Sequence, residues 1–218
     1  MLELVKGARL IVETCARIKP GERVLVVADD EAFPTRMGGI VADVAGSTGA
    51  EAVLMVTKPR EASGGQEPPA AVAAAMKTVN AVFYISNRYG IAHTNARKEA
   101  SALGVRVYHM TQVPEDYFKR DITPADIEQI KERTVRLAER LTKARSARVT
   151  TPAGTDITLG LEGRQGMGIH PLGEVLAGVP DYAEAAISPV EGTSAGVMVI
   201  DVGIVGWGPV FRQPVRCV

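Results

Sequence analysis

Four short β-branched runs, separated by helical stretches, constrain this chain more than any other feature. They read "RVLVVADD", "EAVLMVT", "NAVFYIS" and "VRVYHM". Each is a brief, nearly continuous apolar run, the pattern of a strand buried on both faces. Between them lie "TRMGGIVADVAGSTGA", the Ala-rich "PPAAVAAAMKTV" and "AHTNARKEASALG", with Gly104 as a helix stop. Upstream, "LVKGARLIVETCARI" places Leu4, Ala8, Ile11, Val12 and Cys15 at helical spacing, and "KPGE" ends it in a turn. Such alternation with short connections predicts a parallel sheet flanked by helices, Rossmann-like in class. The loop after the first run, "ADDEAFPT", carries acids and no GxGxxG, which opposes a pyrophosphate and therefore a nicotinamide cofactor.

The pattern changes after a long amphipathic stretch, "TPADIEQIKERTVRLAERLTKA". Thr123 and Asp126 resemble a capping box, and Ile127, Ile130, Leu137, Ala138 and Leu141 form its apolar face. Beyond it, "ARVTTPAGTDITLGLEGR" alternates like two strands around a turn, and "VMVID" and "VGIVGWGPV" are strand-like. Residues 1–142 are thus expected to form an α/β domain ending in a connecting helix, and 143–218 a β-rich, incomplete second domain.

Net charge is zero, so no basic surplus points to nucleic acid. No run reaches the roughly 18 apolar residues of a membrane span, and charges interrupt the N-terminus as a signal peptide would not allow. Cys15 and Cys217 stand far apart without metal-ligand spacing, which fits a reduced, cytoplasmic setting.

The histidines, His93, His109 and His170, form no HxH, HExxH or HxxxH pair. His109 closes a strand and reads as structural, and His170 before Pro171 reads as a solvated loop residue, with a ligand role as the alternative. His93 and Thr94 follow the third strand, where the carboxyl ends of parallel strands line a crevice. They are candidate substrate-binding residues for an anion or carboxylate, with a helix cap as the alternative. No GxSxG elbow surrounds Ser86. The second part is richer in acids: Asp156, Glu162, Glu174, Asp181, Glu184, Glu191 and Asp201. Carboxylates are hard ligands for divalent metals, although most surface acids are simply solvated.

Taken together, "KPGERVLVVAD", "AHTNARKEASALGVRV", "ARVTTPAGTDITLGLEGR" and "PDYAEAAISPVEGTSAGVMVID" resemble the aminopeptidase T family of metallo-aminopeptidases. The same superfamily includes the iron-dependent 2,5-dihydroxypyridine dioxygenases. The resemblance implies a C-terminal metal domain in which Glu184, five residues before Pro189, is one ligand. Glu191 and Asp201 match letters of the pattern, as a turn carboxylate and a strand-end cap. The segment before Glu184 reads "PDYA", one residue longer than the family's usual form. The other ligands of longer relatives, a glutamate, histidines and an aspartate, fall beyond Val218, so this chain is expected to lack them.

The expectation is therefore a metal-dependent aminopeptidase-like protein, inactive or incomplete as this chain alone. It would act on a peptide with a free N-terminus and use Zn, Co or Mn once the missing ligands were supplied. The alternatives are a dioxygenase-like Fe(II) ring-cleaving enzyme acting on a small molecule, and a non-catalytic small-ligand or assembly module. Glycine-rich strands near the C-terminus suggest an unpaired edge and hence a homo-oligomer.

Overall fold

A computed structural model describes residues 1–60, 66–88, 90–172, 176–177, 180, 182–204 and 210–218. Chain contacts group into two compact units: Met1–Glu132 with Ile169–Ala183, and Arg133–Gly168 with Glu184–Val218. The chain therefore passes between units three times. No helix among the described residues is long and apolar enough to cross a membrane.

In the first unit, β1 (Arg23–Asp29), β2 (Glu51–Thr57), β3 (Ala81–Ser86) and β4 (Arg106–Thr111) are the four runs read from sequence. They pair in parallel in the order β2-β1-β3-β4. A two-residue strand, β8 (Leu176–Ala177), extends the sheet beside β4. No period could announce so short a strand. Period-two alternation sorts the strand side chains into two cores. Val24, Val26, Phe83, Ile85, Tyr108 and Met110 face one side. Leu25, Val27, Val82, Tyr84 and Val107 face the other.

Helices cover both faces because their apolar stripes match these cores. On the first side lie α1 (Leu2–Arg9), which continues as a π-helical stretch over Leu10–Cys15, and α2 (Ala32–Ser47). They contribute Leu4, Ile11, Met37 and Val41. On the other lie α3 (Ala70–Met76) and α4 (Asn95–Ala102), with Val72, Met76, Ala96 and Ala100. Phe83 stacks on Tyr108 with ring centroids 5.1 Å apart, and the Tyr108 hydroxyl donates to the Cys15 carbonyl at 3.0 Å. Each fully buried large side chain contributes about 1.5–3 kcal/mol relative to exposure. The helix α2 begins at Ala32, so "ADDEAFPT" is partly helical rather than wholly loop: Pro34 fits its first turn, and the Thr35 hydroxyl donates to the Asp29 carbonyl at 2.9 Å. Gly104 (φ +82°) ends α4, a conformation that favours glycine.

The long helix α5 (Pro124–Lys143) opens on a true capping box: Asp126 accepts from the Thr123 N–H at 2.9 Å, and Thr123 Oγ1 accepts from the Asp126 N–H at 3.3 Å. Its buried residues are Ile127, Thr134 and Ala138, whereas Leu137 is 49% exposed. Leu137 thus leaves the apolar face assigned to it, because Thr134 occupies the turn that faces inward.

In the second unit, β5 (Ser146–Thr150) and β6 (Asp156–Gly160) form the expected hairpin. The strand β10 (Ala195–Ile200) pairs with β6, and β11 (Val215–Cys217) with β10, all antiparallel. β7 (Met167–Ile169) and β9 (Glu184–Ala186) form a separate two-stranded sheet. The register puts Ala147, Val149, Ile157, Leu159, Met198, Ile200 and Val215 on one face. Arg148, Thr150, Asp156, Thr158 and Arg216 lie on the other. The segment read as a strand at "VGIVGWGPV" lies partly outside the described residues; Val202–Ile204 and Val210 are not in strands, and β11 takes the place beside β10.

Candidate functional site

The sheet order places the connections from β1 and β3 on opposite sides, so the carboxyl ends of these two strands flank a switch in strand order. That is where open α/β sheets leave a crevice for ligands. Asp29 ends β1 and Ser86 ends β3, and each is only 2% exposed. The Ser86 hydroxyl donates to Asp29 Oδ2 at 2.6 Å, and the Asn87 N–H donates to the same oxygen at 3.2 Å. Burial pushes the Asp29 carboxyl above its ordinary range, against the lowering effect of those two donors. Both groups are buried, and the pair anchors the ends of the two strands to each other.

Around this anchor, Glu31 accepts from Asn87 Nδ2 at 2.6 Å and pairs with Arg88 at 3.1 Å. The other half of the crest is rich in nitrogen. His109 lies in β4 with Nε2 against the Thr111 hydroxyl, and Gly90 passes so close that a Cβ there would sit 2.7 Å from Nε2. Burial first, then the charges of His93 and Arg97, push the His109 imidazole down to about 4, so it is neutral at pH 7.

His93 is exposed beside this group. Thr94 is buried and caps α4: its hydroxyl accepts from the Arg97 N–H at 3.2 Å and donates to the Ile91 carbonyl at 2.8 Å. The carboxylate of Glu67 accepts from the Asn95 and Ala96 N–H groups at 2.6 and 3.0 Å. An internal acid therefore fills the position at the helix start where an outside anion would otherwise be attracted. Sequence reasoning missed the Asp29–Ser86 pair and Glu67. The acid closing the buried run "RVLVVAD" was a visible signal for the first. Nothing local marked Glu67, 28 residues from Asn95.

Among the described residues, the acids expected as ligands do not gather in a group of three. Asp156 is held by Arg148 through two hydrogen bonds of 2.8 and 2.7 Å, Glu162 pairs with Arg145 at 3.7 Å, and Glu191, in a turn, pairs with Arg164. Asp201 is exposed just after β10, and Glu184 lies half-buried in β9. Glu174 and Asp181 lie outside the described residues. Among the described residues, no three His, Cys, Asp or Glu side chains come together as a metal site. A divalent ion needs about three protein donors at 2.0–2.5 Å, so these residues do not by themselves fit one. His170 corrects the sequence expectation: it is not solvated but 9% exposed, because the segment after β7 folds inward and Leu172 packs on the core.

The first unit is a Rossmann-like α/β unit with a polar crest at the carboxyl ends of its strands. The model of the family described as NicX, 2,5-dihydroxypyridine 5,6-dioxygenase, matches residues 4–216, and the chain belongs to that family. Among solved structures, 2,5-dihydroxypyridine dioxygenase from Pseudomonas putida KT2440 is similar over 98% of this chain and 64% of its own, at TM-score 0.77 and 17% identity. Wild-type AmpT from Thermus thermophilus is similar over 90% of this chain and 64% of its own, at TM-score 0.58 and 17% identity. This chain therefore spans less than two thirds of either. At that identity the likeness carries the shared fold. No curated protein matches the sequence.

Proposed function

We propose that this chain serves a dioxygenase-type reaction on a small hydroxylated pyridine, the reaction named in its family's description. The observation that carries this reading is the family match over residues 4–216. The aminopeptidase reading has only likeness of fold behind it. In this proposal the first unit contributes the binding crest. His93 and Arg97 are donors to an acidic ring oxygen, and Thr94 shapes the turn that presents His93. Neutral His109 and Gly90 form the floor. Glu184 is proposed as one carboxylate toward a divalent ion, Fe(II) in this reading. The remaining donors must come from outside the described residues, and no step is assigned to the ion here. A cytoplasmic setting and a homo-oligomer belong to the same proposal.

The test is anaerobic loading of the purified protein with ferrous iron, followed by iron analysis and dioxygen uptake with 2,5-dihydroxypyridine. Iron-dependent uptake, lowered by Glu184→Ala and weakened in substrate affinity by His93→Ala, is the expected result. Hydrolysis of aminoacyl-nitroanilides with Zn, Co or Mn and no dioxygen uptake would instead favour the peptidase. Neither activity, with no retained metal, would leave a non-catalytic module.

A further inference from the structure

His170 is at once nine-tenths buried and unsatisfied. Its Nδ1 is shielded from solvent and has no hydrogen-bond partner among the described residues. A buried polar atom left in this state costs about 1–3 kcal/mol, so its persistence calls for a reason. The location supplies one. The chain leaves the first unit after Glu132 and returns at Ile169, and His170 is the second residue after that return. The charged groups that act on it are Glu128 and Lys131 of α5, within one turn of the departure point. Glu128 is already occupied: Arg17 holds it at 3.3 Å and Lys131 lies 3.7 Å from its other oxygen. A proton on His170 would therefore meet low polarity and the Lys131 ammonium, with a carboxylate whose charge is largely balanced elsewhere. Two residues on, Leu172 is set on the core with Phe118 and Ile127.

We infer that His170 is a proton-sensitive pin, whose neutral ring holds residues 169–172 against α5 and whose protonation releases them. Burial first, then Lys131, depress its affinity for a proton, and Glu128 opposes them. The sign follows from linkage. The unfolded or released histidine takes up a proton near its ordinary pKa of about 6.5, while the pinned one resists. The pinned state is thus fully favoured above that value and loses ground progressively as pH falls below it. Mild acidification would loosen the chain at a crossing point without touching the crest of the parallel sheet. The inference does not depend on the proposed reaction.

Amide hydrogen exchange, corrected for intrinsic rates, tests it on the purified chain at pH 7.5, 6.5 and 5.5. Protection at Ile169, His170, Leu172 and Glu128–Lys131 should fall several-fold more than that of β1 and β3 as pH drops. His170→Phe, which keeps a ring but cannot take a proton, should remove that selective loss. Should His170→Phe fail to fold, NMR titration of the imidazole in the unaltered protein decides the matter. A His170 pKa at or above 6.5, or equal loss of protection in the His170→Phe protein, overturns the inference.

Discussion

The Ser86 hydroxyl donates to the Asp29 carboxylate over 2.6 Å, joining the carboxyl ends of β3 and β1 inside the sheet. The two residues lie 57 positions apart, and the bond fixes the edge from which Glu31, Asn87 and Arg88 project. Replacing Ser86 by alanine leaves a buried carboxylate short of a donor and should lower stability by about 1–3 kcal/mol in urea melts. An unchanged midpoint would mean the bond is dispensable.

Asp29 also gives a pH signature. Its carboxyl is raised by burial, so the folded state holds the proton more tightly than the unfolded chain. That contribution favours folding below the unfolded pKa of about 4 and is lost as pH rises through the raised value. Asp29→Asn should therefore compare better with the unaltered protein at pH 7 than at pH 3. Urea melts at both values check this, and a difference of the opposite sign would refute it.

Two glycines make a matched pair. At Gly7 an added Cβ would lie 2.2 Å from the carbonyl oxygen of Phe118, a backbone atom that cannot swing away. Gly39, within α2, has nothing within 4 Å of that position. Gly7→Ala should destabilise by about 1–3 kcal/mol through overpacking, whereas Gly39→Ala should stabilise by about 0.5–1 kcal/mol through helix propensity. Thermal melts that rank the two variants the other way would contradict the packing of α1.

Glu67 should act as the cap of α4 from a distance. Glu67→Gln should shift the Asn95 and Ala96 amide resonances and speed their exchange while leaving Lys98 to Ala102 nearly unchanged. The carboxyl is held below its ordinary range by the Ala96 and Asn95 N–H groups. Its contribution is therefore present above the unfolded pKa and fades as pH falls through the lowered one. An acid titration in which those two amides do not move would exclude the contact.

The two thiols should differ sharply. Cys15 is buried and its thiol is pushed up to about 12 by burial, with Arg17 opposing, while Cys217 is exposed. At pH 8 a thiol reagent should label Cys217 promptly and Cys15 only upon unfolding. Equal labelling of both in the native protein would show that the π-helical stretch after α1 does not bury Cys15.

Much of the fold was legible in the residues. The four parallel strands, their helices, the Thr123–Asp126 cap and the β5–β6 hairpin each follow from a local signal: a buried apolar run, a cap or a turn. Leu137 was misplaced because helical period alone left two neighbouring stripes open, and burial of Thr134 selected one. The two-residue β8 and the three-residue β11 were too short for any period to declare.

The sequence by itself determined the α/β class and the alternation that divides the strand side chains between two cores, since both are set by spacing along the chain. Only the tertiary structure decided that Asp29 meets Ser86, that Glu67 caps a helix 28 residues on, and that Asp156, Glu162 and Glu191 pair with arginines. It also turned His170 from an expected surface residue into a buried one. These are contacts between residues distant in sequence. Their energies depend on burial and on which partner arrives, and neither quantity is written in local order.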